Sequence, residues 1–273
     1  MSDLAVVLRK TRSEGRAALV GYLPAGYPSV EEAIAALATM VEGGVDIVEV
    51  GLPYSDPLMD GPTIQAAVDA ALTAGTTPAD VLRTVKAVAE GGTPTMVMTY
   101  WNPVEQYGPD RFAADLAAAG GAGVIIPDLI PEEAAPWLAA VDTTGLDPIF
   151  LVAPSSTQPR LAFVAAHCRG FVYAASTMGV TGAREQISGR AATLVSRLRE
   201  VTELPVCVGL GVTTGAQAAE VAAYADGVIV GSAFVRRLLD ADSPEAGLTS
   251  VHALAEELAT GVRAASRTDS GSW

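Results

Sequence analysis

The sequence predicts an α/β protein built as a single (β/α)8 TIM barrel, and three observations support this. Eight short apolar runs recur along 273 residues at fairly regular intervals. They are continuous rather than alternating, as strands covered on both faces require. Ala-rich amphipathic stretches separate them, and eight strands alternating with helices in about 250 residues point to such a barrel. An open doubly wound sheet usually has fewer strands and a G-x-G-x-x-G turn after the first; here that turn reads LPAGYPS.

The elements follow in order. LAVVLRKTR (4–12) reads as an extra helix that caps the barrel bottom before the first strand at 17–23. Ser29, with Glu32 three residues later, opens the next helix as a capping box, and Gly43 closes it. The second strand is 45–51. Residues 62–90 are too long for one helix, and AGTTPAD divides them into two, ending at Gly91. The third strand is 94–100. GPDRFAADLAAAGG then forms a helix that closes at Gly120, before the fourth strand at 122–128. The fifth, sixth and seventh strands are 147–153, 170–176 and 205–211. Thr213 or Thr214 caps the helix GAQAAEVAAYA, and the eighth strand is 226–232. No linker splits residues 1–265, which form one domain, and SRTDSGSW (266–273) reads as a frayed tail.

Charge narrows the function. There are 31 acidic residues against 17 Lys and Arg, a net charge of −14. Such a chain repels phosphate backbones and anionic membrane surfaces, so neither nucleic acid nor membrane is an expected partner. A small phosphorylated molecule remains possible, because backbone N–H groups bind phosphate without net positive charge. Cys168 and Cys207 sit in apolar contexts and form no C-x-x-C pair, which suits buried thiols in a reducing compartment. His167 and His252 lie in helix-like segments without metal-ligand spacing, so no metal is expected. No signal-like block and no run long enough to span a membrane appear, and a cytoplasmic location is expected.

In a barrel of this kind the chemistry sits at the C-terminal ends of the strands. That rule selects Tyr22, Glu49 with the loop 51–61, Tyr100 and Asn102, Asp128, and Tyr173 with STMGVTGA. It also selects Gly209, Leu210 and Gly211, then Gly231 and Ser232. GLGVTT and VGSAF each place glycine between a strand and a helix start, and GVTG after the sixth strand adds a third such turn. Two helix N-termini converging there would form a phosphate site. Glu49 stands between Val48 and Val50 with no basic residue nearby in sequence. A carboxylate pointing into the barrel is desolvated, its pKa rises, and it becomes a proton carrier near neutral pH. Asp56 fits a structural turn. Spacing leaves Asp60 open between a catalytic group and the cap of the helix that starts at Pro62.

The stretch GLPYSDPLMDGPTIQ resembles the signature of the tryptophan synthase α subunit. GYLPAGYP, MTYWNPVEQYG, GVIIPDLIPEEA, GVTG and GLGVTT…VIVGSAFV fall in that family's order, so the likeness covers nearly the whole chain. It implies retro-aldol cleavage of indole-3-glycerol phosphate to indole and glyceraldehyde 3-phosphate, in the last steps of tryptophan biosynthesis, without metal or organic cofactor. It implies that Glu49 is the acid/base group and that Asp60 holds the indole N–H. It implies that Tyr22, Ile64, Met98, Ile125 and Leu210 line the indole pocket, with Tyr100 also at the substrate and Tyr173 near the reacting end. Gly182, Gly211, Gly231 and Ser232 would bind phosphate, and Thr181 would meet the catalytic Asp on closure. Asp56, Pro57, Asn102 and Asp128 would face a pyridoxal-phosphate β subunit in an α2β2 assembly.

Three positions depart from the family pattern: Tyr54 replaces a usual Phe, Met59 a small residue, and Thr177 a basic residue. The competing readings are a free-standing indole-releasing lyase, another phosphate-binding barrel isomerase or decarboxylase, and a non-catalytic barrel. The isomerases and decarboxylases usually need Lys or His at a strand end, and none of the strand ends above carries one.

Overall fold

The computed structural model describes residues 3–175, 184–209 and 211–265, with side chains of 184–188 excepted. The first half runs α1 (Asp3–Ser13), β1 (Ala18–Pro24), α2 (Val30–Glu42), β2 (Ile47–Gly51), α3 (Pro62–Thr73), α4 (Pro78–Ala89) and β3 (Thr95–Met98). It continues with α5 (Trp101–Tyr107), α6 (Pro109–Ala118), β4 (Gly121–Ile125) and α7 (Ala135–Thr144). The second half runs β5 (Asp147–Ile149), β6 (Leu151–Val152), α8 (Gln158–Ala166), β7 (Val172–Ala175), α9 (Arg184–Arg199) and β8 (Val206–Gly209). It ends with α10 (Gly215–Ala222), β9 (Gly227–Val230), α11 (Ser232–Leu239) and α12 (Pro244–Ala264).

All strand pairs are parallel, in the order β5-β4-β3-β2-β1-β9-β8-β7-β6. The fifth apolar run accounts for the ninth strand. It divides at Phe150, so that β5 pairs with β4 and β6 with β7. The Phe150 carbonyl accepts the Tyr173 N–H at 3.2 Å, which carries the run across the break and closes the barrel. Eight expected strands are thus found, one of them bent into two.

The local signals act where expected, with small displacements. Ser29 Oγ accepts the Glu32 N–H at 3.2 Å and donates to Glu32 Oε2 at 2.7 Å, which satisfies the head of α2. Of the two candidate threonines, Thr214 caps α10. Gly43 is the C-cap of α2 as expected, with the left-handed turn following at Gly44 (φ +109); α4 is capped one residue before Gly91, by Glu90, and Gly92 (φ +85) takes the left-handed turn. The third strand is shorter than its run because Tyr100 already caps α5, a helix that the apolar pattern did not announce.

Alternation along the strands sends one set of side chains inward. Ala18, Val20, Ile47, Met96, Ile125, Ile149, Phe171, Cys207 and Ile229 fill the lower barrel, and Leu4 and Leu8 of α1 join them. The extra helix therefore plugs the floor. Ion pairs brace that end: Arg16 grips Asp46 through two bonds of 2.7 and 2.9 Å, and Arg199 reaches Asp226 at 3.2 Å. Cys168 and Cys207 are buried free thiols. His167 ends α8 with Nδ1 2.8 Å from the Phe163 carbonyl, and His252 lies beside Glu256 on α12. Among the described residues no cluster of His, Cys, Asp or Glu suits a metal, and no helix is long and apolar enough to cross a membrane.

Candidate active site

Glu49 lies on β2 two positions beyond Ile47, on the same inward-facing side of the strand. Its register neighbours are Tyr22 on β1 and Met96 on β3. It is 1% exposed, and its Oε2 has no hydrogen-bond partner among the described residues. Burial, reinforced by the negative charge of Asp60, raises its pKa from 4.5 to about 8. The group therefore exchanges a proton near neutral pH.

Asp60 is brought over this carboxylate by the loop between β2 and α3. The helix cap is Gly61, which uses no side chain, so the capping alternative for Asp60 does not hold. Its Oδ1 accepts the Tyr100 hydroxyl at 2.8 Å. That hydroxyl in turn accepts the Met59 N–H at 3.1 Å, and Gln65 Nε2 donates to the Asp60 carbonyl at 2.7 Å. Tyr100 thus pins the loop from 40 residues away. Burial pushes the Asp60 pKa up, and the Tyr100 bond pulls it down. Asp60 and Glu49 both act on the buried Tyr22 phenol, whose pKa burial raises; Glu49 acts likewise on Tyr173. These effects gather Tyr22, Glu49, Asp60, Tyr100 and Tyr173 into one site.

The tyrosines lie flat because glycines give them room. A Cβ on Gly51 would stand 2.3 Å from the Tyr22 hydroxyl, and one on Gly209 would stand 2.3 Å from that of Tyr173. The apolar candidates sit at different depths. Met98 and Ile64 are half-buried near the mouth, while Ile125 belongs to the fully buried floor cluster.

The two expected phosphate turns are unequal. Gly211 has φ +63, a conformation natural to glycine, and a Cβ there would meet nothing within 4 Å. Gly231 precedes α11 without any side-chain cap, and Ser232 is the first residue of that helix; the Phe234 N–H is already taken by the Gly231 carbonyl at 2.9 Å. The head of α10 is already served. Thr214 accepts the Gln217 N–H, Gln217 Oε1 accepts the Thr213 N–H, and Glu257 Oε1 accepts the Gly215 N–H. Of these two turns, the one before α11 has the helix head without a side-chain cap. Thr177, Thr181, Gly182 and Leu210 lie outside the described residues.

The rim residues have partners within the chain. Asp128 Oδ1 accepts the Trp101 N–H at 2.9 Å, a favourable charge at the head of α5. Asn102 Nδ2 donates to the Tyr54 hydroxyl at 3.2 Å, and the Tyr54 ring lies 5.5 Å from that of Tyr100. Asp56 is exposed and accepts from Ser55, and Pro57 is half-buried. Reading along the sequence missed that Tyr100 orients Asp60, since that bond needs the fold. It also missed Leu58 and Ile130, large apolar side chains that stand 74% and 42% exposed. Their loop positions were the available signal.

Known proteins match this chain over nearly its full length. The family profile described as "Tryptophan synthase alpha chain" matches residues 8–263. The tryptophan synthase alpha chain of Thermobifida fusca is 60% identical, over 98% of this chain and 100% of its own. That of Salinispora arenicola is 64% identical, over 96% and 98%. A crystal structure of tryptophan synthase from M. tuberculosis, in a ligand-free form, superposes with a TM-score of 0.89 at 54% identity, covering 96% of this chain and 100% of that one. With a closed parallel barrel, a buried acid at its centre and these matches end to end, the chain belongs to the tryptophan synthase alpha chain family.

Proposed function

We propose that Glu49 and Asp60 carry out the family's lyase reaction, the retro-aldol cleavage of indole-3-glycerol phosphate to indole and D-glyceraldehyde 3-phosphate. One observation carries the assignment. Glu49 is almost wholly buried, holds its proton to about pH 8, and has an oxygen with no partner among the described residues. A folded chain keeps such a group where a proton has to move.

The steps balance. Protonated Glu49 gives its proton to the indole ring carbon that bears the glycerol chain, and positive charge develops at the ring nitrogen. Ionised Asp60 holds that N–H and stabilises the charge. The carboxylate left on Glu49 then takes the proton of the adjacent glycerol hydroxyl. The O–H electrons form the aldehyde C=O, the C–C bond breaks, and its electrons restore the neutral indole ring. Two carboxylates in different surroundings divide these roles. The uncapped head of α11, with Gly211 and Ser232, holds the phosphate away from the breaking bond and positions the substrate.

The test is direct. Glu49→Gln and Asp60→Asn are each expected to lower indole formation by at least a thousandfold with the fold retained by circular dichroism. Wild-type rates in either variant would sink the assignment.

The relatives are components of tryptophan synthase, which supports a complex with a β subunit. Within this proposal the assembly is α2β2, and the partner holds the pyridoxal phosphate. Exposed Leu58 and Ile130, beside Asp56, Asn102 and Asp128 at the rim, suit a surface that a partner covers. A free-standing lyase would release indole at full rate alone; a subunit would accelerate on mixing with β. The buried free cysteines fit a cytoplasmic setting.

A further inference from the structure

Tyr54 stands on the loop that carries Asp60, and the steps above give it no task. That loop, from Leu52 to Gly61, contains no helix or strand of its own. A carboxylate on such a segment is only as well placed as the contacts that hold the segment. Here they converge on the head of α5. The Tyr100 hydroxyl accepts the Met59 N–H at 3.1 Å, which directs its own proton to Asp60 Oδ1 at 2.8 Å. The Tyr100 ring must therefore stay in place for Asp60 to keep its donor.

Tyr54 holds that ring. The two rings pack with centroids 5.5 Å apart and planes inclined at 36°. The Tyr54 hydroxyl accepts Asn102 Nδ2 at 3.2 Å, two residues along from Tyr100. The attachments run in both directions. Tyr100 reaches from the α5 head to Met59 and Asp60 on the loop. Tyr54 reaches from the loop to Tyr100 and Asn102 on the α5 head. We infer that Tyr54 is a positioning residue for Asp60 that acts through Tyr100: its ring contact and its bond with Asn102 together keep the Tyr100 hydroxyl on the Asp60 carboxylate. The inference rests on the lyase reading above.

The consequence is a lower working limit in pH. Burial favours neutral Asp60, and the Tyr100 bond opposes this. A Tyr100 ring without its clamp gives up that bond part of the time, and Asp60 then takes a proton at higher pH. The ionisable groups that act with Asp60 are Glu49 on β2, Tyr22 on β1 and Tyr100 itself, and none is a cation. Arg236 of α11 holds Thr63, three residues on, at 2.6 Å, and Asp56 on the loop accepts from Ser55.

The profile of kcat/KM against pH with indole-3-glycerol phosphate tests this. It is measured on the chain alone, because Asn102 also lies on the proposed partner face. Tyr100→Phe is expected to raise the acidic limb by about one pH unit, the size of a bond to a charged group. Tyr54→Ala is expected to raise it by about half as much, since Tyr100 keeps its hydroxyl. Tyr54→Phe, which keeps the ring contact and lacks the Asn102 bond, moves it less and in the same direction. The alkaline limb, set by Glu49, stays in place in all three. A merely structural role would lower the rate at every pH and leave the limb where it was. In the Tyr100→Phe background, Tyr54→Ala is expected to add nothing to the shift. An unmoved limb in Tyr54→Ala, or in Tyr54→Phe if the alanine variant does not fold, overturns the inference. Equal shifts with and without the Tyr100 hydroxyl also overturn it. If Glu49→Gln and Asp60→Asn are inactive, the lyase reading survives an unmoved limb; wild-type rates in either sink both.

Discussion

At the scale of single residues, Glu49 ties catalysis to stability. Its folded pKa lies above its unfolded one, from 4.5 to about 8, so the native state keeps a proton that the unfolded chain releases. The stability this provides is full below about pH 4.5 and is lost as pH climbs toward 8. Within that window the loss approaches roughly 1.4 kcal/mol per pH unit. Glu49→Gln removes the titration. The variant is expected to gain on the wild type steadily from pH 5 to pH 8 in urea melts, and parallel pH curves for the two would refute the burial argument. The residue was legible in the sequence because an acid among Val48, Val50 and Ile47 contradicts the strand pattern unless it has a task. Asp60 was not legible in that way. A turn that contains Asp serves caps and bends equally well, and only the bond from Tyr100, 40 residues onward, shows what holds its carboxylate.

At the scale of elements, the βα turns divide the labour. The head of α10 satisfies itself through Thr214, Gln217 and Glu257, whereas that of α11 stays open behind Gly231. Glycine spacing announced both turns alike, because a cap supplied from α12 cannot be read locally. Gly211 lies in the turn before α10. Gly211→Val is expected to raise KM about tenfold or more with kcat little changed, since a branched side chain disfavours φ +63 and obstructs the phosphate approach. Initial rates over a substrate series check this, and an unchanged KM would move the phosphate elsewhere. The first helix was predicted as a cap and does more, since Leu4 and Leu8 are 0% and 2% exposed inside the barrel. Leu8→Ala is expected to cost about 2–5 kcal/mol, measured by denaturant midpoint. A loss below 1 kcal/mol would mean that α1 is only draped over the end.

At the scale of the whole molecule, eight apolar runs were enough to give the barrel, because a parallel sheet buried on both faces leaves few other ways to close. The break at Phe150 was invisible, as it falls inside the apolar stretch Ile149–Ala153. The rim was harder still. Leu58, at 74% exposed, makes sense only once the loop is seen standing clear of the barrel. Leu58→Asp is expected to weaken activation by a β subunit at least tenfold while the slow reaction of the chain alone is unchanged. Titration of β against each protein checks this, and equal activation would place the contact elsewhere.

The plugged floor sets a direction of traffic. With Leu4 and Leu8 wedged among Ile47, Ile125 and Phe171, the described residues close the floor of the barrel. In the proposed reaction, substrate and products would then pass by the upper end, where Asp60 and the exposed Leu58 stand. If the proposed partner sits on that rim, covering it would turn the escape of an oily, uncharged product into delivery.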